Sequence, residues 1–451
     1  MTAEVIVVNK NAIAMAADSA VTVNNPFGAP KIYNTVNKLF NLNRNVPVAL
    51  MVYGNAEFIG LPWETIVKTY RKRLGNTTFP SIEEYARDFI IYLSTIEFPK
   101  SDDVAAFETF ISNNLARLSH QIRDKLRSID KRLIKDNDDA SLIERMIAHE
   151  EATLSKIETM DMFDGLNFMQ FVRRYGRTIR RAIKEVMENI FELPITRSCK
   201  RHLWNIAYLL VVKKVLSPVQ SGLVVAGFGE KEMLPSIRCF LIDGNFCDKI
   251  KYLNNNNYDV SRQDAAAIMP FAQQEMVCRF MEGVDDDYQQ YAEGLVQTVL
   301  LSLPEIFVTK YIRGRNKRSA IADELKQTIA HSIAEIGKDL QEYRRNTFVD
   351  PIINAVRILP KEELARLAES LVQLTSLKRR MSMELETVGE PIDVAVISKG
   401  DGFVWIKRKH YFEASLNPGF FARYNQPMEA RMEERHATAI SPEQGECAEG
   451  D

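Results

Sequence analysis

The chain has 451 residues, of which 46% are hydrophobic and 26% charged, with a formal net charge of -2. That balance is ordinary for a folded soluble protein, and it gives no global attraction to nucleic acid or anionic lipid. The length exceeds the roughly 250–300 residues at which a single core stops growing, so one large elaborated domain or two domains are expected.

Cysteine usage and the chain start narrow the class further. Cys199, Cys239, Cys247, Cys278 and Cys447 are odd in number and form no CxxC pair, which argues for reduced, buried thiols rather than a disulfide framework. The opening MTAEVIVVN lacks the basic region of a signal peptide. The most apolar stretches, 203–216 and 294–308, are interrupted by charges or by Pro304. They fall short of the roughly 20 residues a membrane span needs. A cytoplasmic protein without membrane contact is expected.

In chain order, residues 4–9 and 12–17 read as two short strands joined by Asn9-Lys10-Asn11, a hairpin signal. Residues 24–28, NNPFG, mark a loop. Residues 35–42 and 47–53 read as a second strand pair. A helix is expected over 56–74, and Ser81-Ile82-Glu83-Glu84 opens another with a capping pattern. Residues 101–216 are mostly helical in pattern. Strands return over 222–227, 236–243 and 246–253, with turns at 227–229 and 243–245. Helices follow over 272–281, 288–302, 321–345 and 361–381. The last strands are 391–398 and 403–409, and the acidic tail from residue 426 reads as disordered. Short turns between strands predict antiparallel pairing, and the order of elements predicts sheet and helix layers.

The segment Ala16-Ala17-Asp18-Ser19-Ala20-Val21-Thr22 resembles the AADSxxT stretch of proteasome β subunits and their bacterial relatives. In that family an N-terminal threonine precedes the aspartate by sixteen positions, and Thr2 here precedes Asp18 by sixteen. Thr35-Val36-Asn37-Lys38-Leu39-Phe40 resembles the strand that supplies the active-site lysine. Val52-Tyr53-Gly54-Asn55 resembles the glycine turn whose backbone N–H forms the oxyanion hole, with Tyr53 one register position away. The later matches fall on 223–229, 235–244 and 388–406.

The resemblance implies an α+β fold, an N-terminal-nucleophile (Ntn) hydrolase α/β/β/α sandwich with large helical insertions. Residues 2–95, 219–285 and 350–412 would be three parts of the core, with insertions over 96–218 and 286–349 and the tail at 426–451. It implies a threonine peptidase or amidohydrolase with catalytic Thr2, Asp18, Lys38 and Gly54; no cofactor or metal is expected. It also implies a peptide or protein substrate, a homo-oligomer and an ATPase partner of unknown identity.

The chemistry fits those residue types. A threonine hydroxyl needs a base, and after loss of Met1 the α-amine, with a reference pKa of roughly 7.7–8, is one. Cationic Lys38 would hold that amine neutral, Asp18 would pair with Lys38, and the Gly54 N–H would stabilise the oxyanion. Two departures point to the alternative, an inactive scaffold or regulatory interaction protein. The family's Ser-Gly-Ser-Gly falls near residues 265–270, which read AAAIMP, and its later acid and serine fall near Leu385 and Val388, with Glu384 or Glu386 as substitutes for the acid.

Other signals are weak. Gly227-Phe228-Gly229 lacks the rest of a phosphate loop, and the histidines do not cluster at metal spacing. The basic runs 173–181 and 313–318 read as solvated helix faces or partner contacts rather than phosphate tracks, and nucleic-acid binding is not expected. Residues 407–410, KRKH, read as surface.

Overall fold

The computed structural model describes residues 2–23, 31–42, 46–128, 138–217, 219–313, 315–382, 389–410, 412–419 and 422. Met1, the loop expected at 24–28, Glu384, Leu385, Glu386, Val388, Cys447 and the tail from 426 lie outside the described residues.

The first part of the chain gives β1 (Ala3–Asn9), β2 (Ile13–Ala17), β3 (Val21–Val23), β4 (Lys31–Tyr33), β5 (Leu39–Asn41), β6 (Val48–Gly54), β7 (Glu57–Phe58) and β8 (Leu61–Pro62). Helices α1 (Trp63–Leu74) and α2 (Ile82–Thr95) follow. Four helices come next: α3 (Lys100–Ser128), α4 (Asp138–Lys156), α5 (Phe168–Ala182) and α6 (Arg197–Val212). Then come β9 (Ser221–Gly227), β10 (Ser236–Phe246), β11 (Lys249–Asn254), β12 (Tyr258–Asp259) and β13 (Ala266–Ala272). The chain continues through α7 (Glu275–Glu282), α8 (Asp286–Tyr311), α9 (Arg315–Arg344), α10 (Asp350–Ile358) and α11 (Lys361–Met381). It closes with β14 (Asp393–Ser398) and β15 (Gly402–Lys407).

Two antiparallel sheets organise these elements, one in the order β13-β1-β2-β14-β15 and the other β11-β10-β9-β6-β5. The protein is thus mixed α and antiparallel β. Side-chain alternation along β1 explains how the sheets stack. Ala3, Val5 and Val7 pack against α10 and α11 through Val356, Leu364 and Leu371. Ile6 and Val8 face the other sheet and meet Met51, Val224 and Ala226. The outer face of the second sheet, with Leu50, Val52, Leu223 and Val225, packs on Trp63 and Tyr70 of α1 and on Tyr85 and Phe89 of α2. The layers therefore run helix, sheet, sheet, helix. β1 and β2 are covered on both faces, which is why they read as nearly unbroken apolar runs.

The helices α3–α6 build a separate core around Phe107, Phe171, Tyr175 and Leu203. Phe246 at the end of β10 joins it, 4.7 Å from the Phe110 ring. Capping follows the sequence: Ser81 accepts from the Glu84 amide at the start of α2, and Asn167 and Gln170 form a reciprocal box at α5.

Three expectations shift. The helix expected over 56–74 begins only at Trp63, because Ile59 and Gly60 take positive φ (52° and 75°) and close the β7–β8 hairpin. The turn expected at 243–245 is instead a bulge inside β10, between Ile242 and Gly244. The chain reverses at Cys247-Asp248, both at positive φ (53° and 63°). Residues 266–272, at the join where a helix was expected from 272, form edge strand β13, and α7 starts at Glu275.

Candidate functional site

β1 and β2 run side by side, with Glu4 opposite Ala17. This brings Thr2, just before β1, next to Asp18, just after β2. The Ala3 amide donates to Asp18 Oδ1 at 3.1 Å, and the Asp18 amide donates back to the Ala3 carbonyl at 3.1 Å. Asp18 Oδ2 accepts from the amides of Ala20 (3.0 Å) and Gly389 (3.1 Å). Gly389 has no room for a side chain, since a Cβ there would lie 2.3 Å from the Asn34 amide oxygen. The carboxylate of Asp18 is thus clamped by three backbone N–H groups, and it is fully buried.

Lys38 enters from the stretch before β5, where its carbonyl accepts from the Val52 amide at 2.9 Å. Its side chain is buried, with Nζ 2.5 Å from Asp18 Oδ1 and 3.3 Å from Glu4 Oε1. Thr2 Oγ1 donates to Glu4 Oε2 at 3.1 Å. Thr2, Asp18 and Lys38, proposed from sequence, therefore meet in one buried cluster, with Glu4 as a fourth member linking Thr2 to Lys38. The Thr2 carbonyl accepts from the Gln273 amide at 3.2 Å, tying the site to the end of β13.

Glu4 was not singled out by sequence reasoning. The signal was there: in AEVIVVN a carboxylate occupies the parity of Ile6 and Val8, which points between the sheets. Burial pushes the Glu4 carboxyl up to about 7, Lys38 opposes this, and the negative charge of Asp18 adds to it. Its Oε1 faces Lys38 as an ion pair without a well-formed hydrogen bond.

Gly54 ends β6 in an exposed position at φ 79°, opposite Ser221. A Cβ there would lie 2.7 Å from the Gln220 carbonyl oxygen. The neighbouring Tyr53 points its ring between the sheets, 5.2 Å from Phe271. It lies over Gly222, where a Cβ would meet the ring at 1.9 Å. Burial raises the Tyr53 phenol, nearby Cys239 and Glu4 add to this, and a hydrogen bond with Asn255 opposes it.

A second buried pair stands behind Lys38. Lys409 Nζ donates to Asp393 Oδ2, and its backbone amide donates to Oδ1 at 2.8 Å. Burial holds the Lys409 ammonium below its usual range; Asp393 opposes this, and Lys38 reinforces it. The expectation of a surface run at 407–410 is therefore corrected at Lys409, whose side chain is 10% exposed. A cavity of about 520 Å³, lined in part by Pro391, Arg408 and Lys409, adjoins this pair.

The remaining candidates are occupied elsewhere. Arg174 is held by Asp103 (2.9 Å) and Asp248 (2.6 Å), and Arg181 by Glu108 (2.6 Å). Among the described residues no group of His, Cys, Asp or Glu is arranged to hold a metal. Cys239 sits on β10 and Cys247 in the turn after it, both free. No protein-family model matches this chain, and no curated protein is significantly similar to it.

Proposed function

We propose that this chain is an Ntn hydrolase of the proteasome β type, acting as a threonine amidohydrolase on peptide bonds after removal of Met1. The observation that carries the reading is the buried chain of contacts from Thr2 through Glu4 to Lys38 and Asp18. The helix, sheet, sheet, helix layering supports it, because the cluster lies where the two sheets face each other.

In this reading Thr2 Oγ attacks the amide carbonyl. The backbone N–H at Gly54 stabilises the oxyanion, a contribution of roughly 3 kcal/mol in comparable sites. The leaving amine departs with a proton, and water then hydrolyses the acyl-threonine ester. Asp18 fixes Lys38, whose charge favours a neutral base beside the nucleophile. The site would act in a homo-oligomer, as the resemblance implies, and in the cytoplasm, as the sequence leads one to expect.

The inactive-scaffold reading draws on one observation: residues 265–270 put no hydroxyl where the resembling family carries serines. One experiment separates the two. Protein expressed with its native start is weighed intact before and after exposure to a peptide epoxyketone, which captures an N-terminal amine together with its neighbouring hydroxyl. Loss of Met1 and a single adduct, absent in Thr2→Ala, is the expected result. Met1 retained, or lost with no adduct, moves the weight to the scaffold.

A further inference from the structure

We infer that Glu4 is a catalytic residue of this site, the group that receives the Thr2 hydroxyl proton. The inference rests on the threonine-nucleophile reading and changes the identity of the base within it.

Thr2 and Glu4 are two residues apart along an extended segment, so their side chains leave the same face. Thr2 Oγ1 already donates to Glu4 Oε2 at 3.1 Å, so the hydroxyl and the carboxylate are paired before any substrate arrives. That distance is within the reach required of a general base. The other titratable groups facing Glu4 are Lys38, Asp18 and the Tyr53 phenol, with Lys409 and Asp393 behind Lys38.

Two carboxylates share one lysine here, and both are fully buried. Asp18 takes the short contact to Lys38 and accepts from three amides, so both of its oxygens are already occupied. Glu4 is left with a longer contact to Lys38 and an oxygen lacking a hydrogen bond. It is therefore the member of the pair poised to gain and lose a proton, and burial brings it to about 7, near working pH.

The step balances without further reactants. The Oγ–H proton moves to Glu4 as Oγ bonds to the acyl carbon. Glu4 returns that proton to the nitrogen as the C–N bond breaks. Water attacking the ester repeats the cycle and restores Thr2.

The test uses a β-lactone, which acylates a hydroxyl without consuming the amine, followed by intact mass between about pH 5 and about pH 9. Wild type is expected to gain one adduct with a rate rising through about pH 7, while Glu4→Gln labels ~10²-fold slower or more and loses the rise. Labelling of folded Glu4→Gln at the wild-type rate with the same rise overturns the inference and leaves the threonine reading standing. If that variant does not fold, wild type with Met1 retained decides. Labelling without a free Thr2 amine supports Glu4, and its abolition assigns the proton to the amine. A folded wild type with Met1 removed that takes no label, like Thr2→Ala, overturns the nucleophile reading itself.

Discussion

The two helical regions look alike in sequence and behave differently in the fold. Helices α3–α6 close around their own core, where Phe107 stacks on Tyr175 with ring centroids 4.0 Å apart. The α8–α9 hairpin instead leaves Tyr291, Leu295, Val299, Ile306 and Tyr343 more than half-exposed, at 71, 53, 52, 60 and 62%. The difference lies in where the apolar residues fall around each helix. In α5 the buried residues Phe171, Tyr175, Thr178, Ile179 and Ala182 keep to one face. In α8 apolar residues lie all round, and by length and composition that helix is long and apolar enough to cross a membrane, although its partner α9 is rich in charge. Helical periodicity thus identifies a helix without saying whether the molecule holds a surface for it.

The sharpest way to break this comparison is to empty the first core. Phe107→Ala removes a fully buried ring that also meets Phe171 and Phe246. It should cost about 3–5 kcal/mol, read as a lower denaturation midpoint with an unchanged denaturant slope. A loss confined to surface-like values would mean that α3–α6 is loosely packed in solution.

Charge gives the next effect, in the main core. The Glu4 carboxyl lies at about 7 in the folded protein against an ordinary 4.5. A raised carboxyl contributes stability that is full below the unfolded value and lost as pH rises through the folded one. Glu4→Gln should therefore match wild type in melting temperature below about pH 4.5, exceed it increasingly as pH rises to about 7, and keep a constant lead above that. A melting difference independent of pH would show that Glu4 keeps an ordinary carboxyl.

Backbone strain should give a smaller change. Gly54→Ala places a Cβ 2.7 Å from the Gln220 carbonyl at φ 79°, and a non-glycine residue in that region costs about 1–2 kcal/mol. Stability should fall by that order, whereas a neutral outcome would mean that the β6 end relaxes freely.

How much of this could be read in the sequence depends on whether apolar patterning or one specific partner sets the feature. Strands β1, β2, β6, β9 and β14 were legible because both their faces are covered, and an apolar run survives any register. The meeting of Thr2, Asp18 and Lys38 was expected from spacing within a resembling family, and the contacts that join them are local to one sheet pair. What escaped reading depends on which particular polar or backbone groups face one another, whatever their separation along the chain. Lys409 is buried because Asp393, sixteen residues away on β14, faces it. Gly389 closes over Asp18 across 371 residues. The β10 bulge is set by its pairing with β11, and nothing in the local run DGN distinguishes it from a turn.

The smallest effect is the one that decides what the α8–α9 hairpin is. If the outer face of α8 lies in water, then Leu295→Gln and Ile306→Gln lose little packing and should each shift stability by no more than ~0.5 kcal/mol. They should also leave Thr2 labelling unchanged, because α8 and α9 contribute no side chain to the site. Each substitution removes apolar surface that water already bathes, so solubility should rise. A loss of a kilocalorie or more would mean that the face is covered in solution. Because α9 is charged along its length, a concentration dependence of that loss would identify a second copy as the cover.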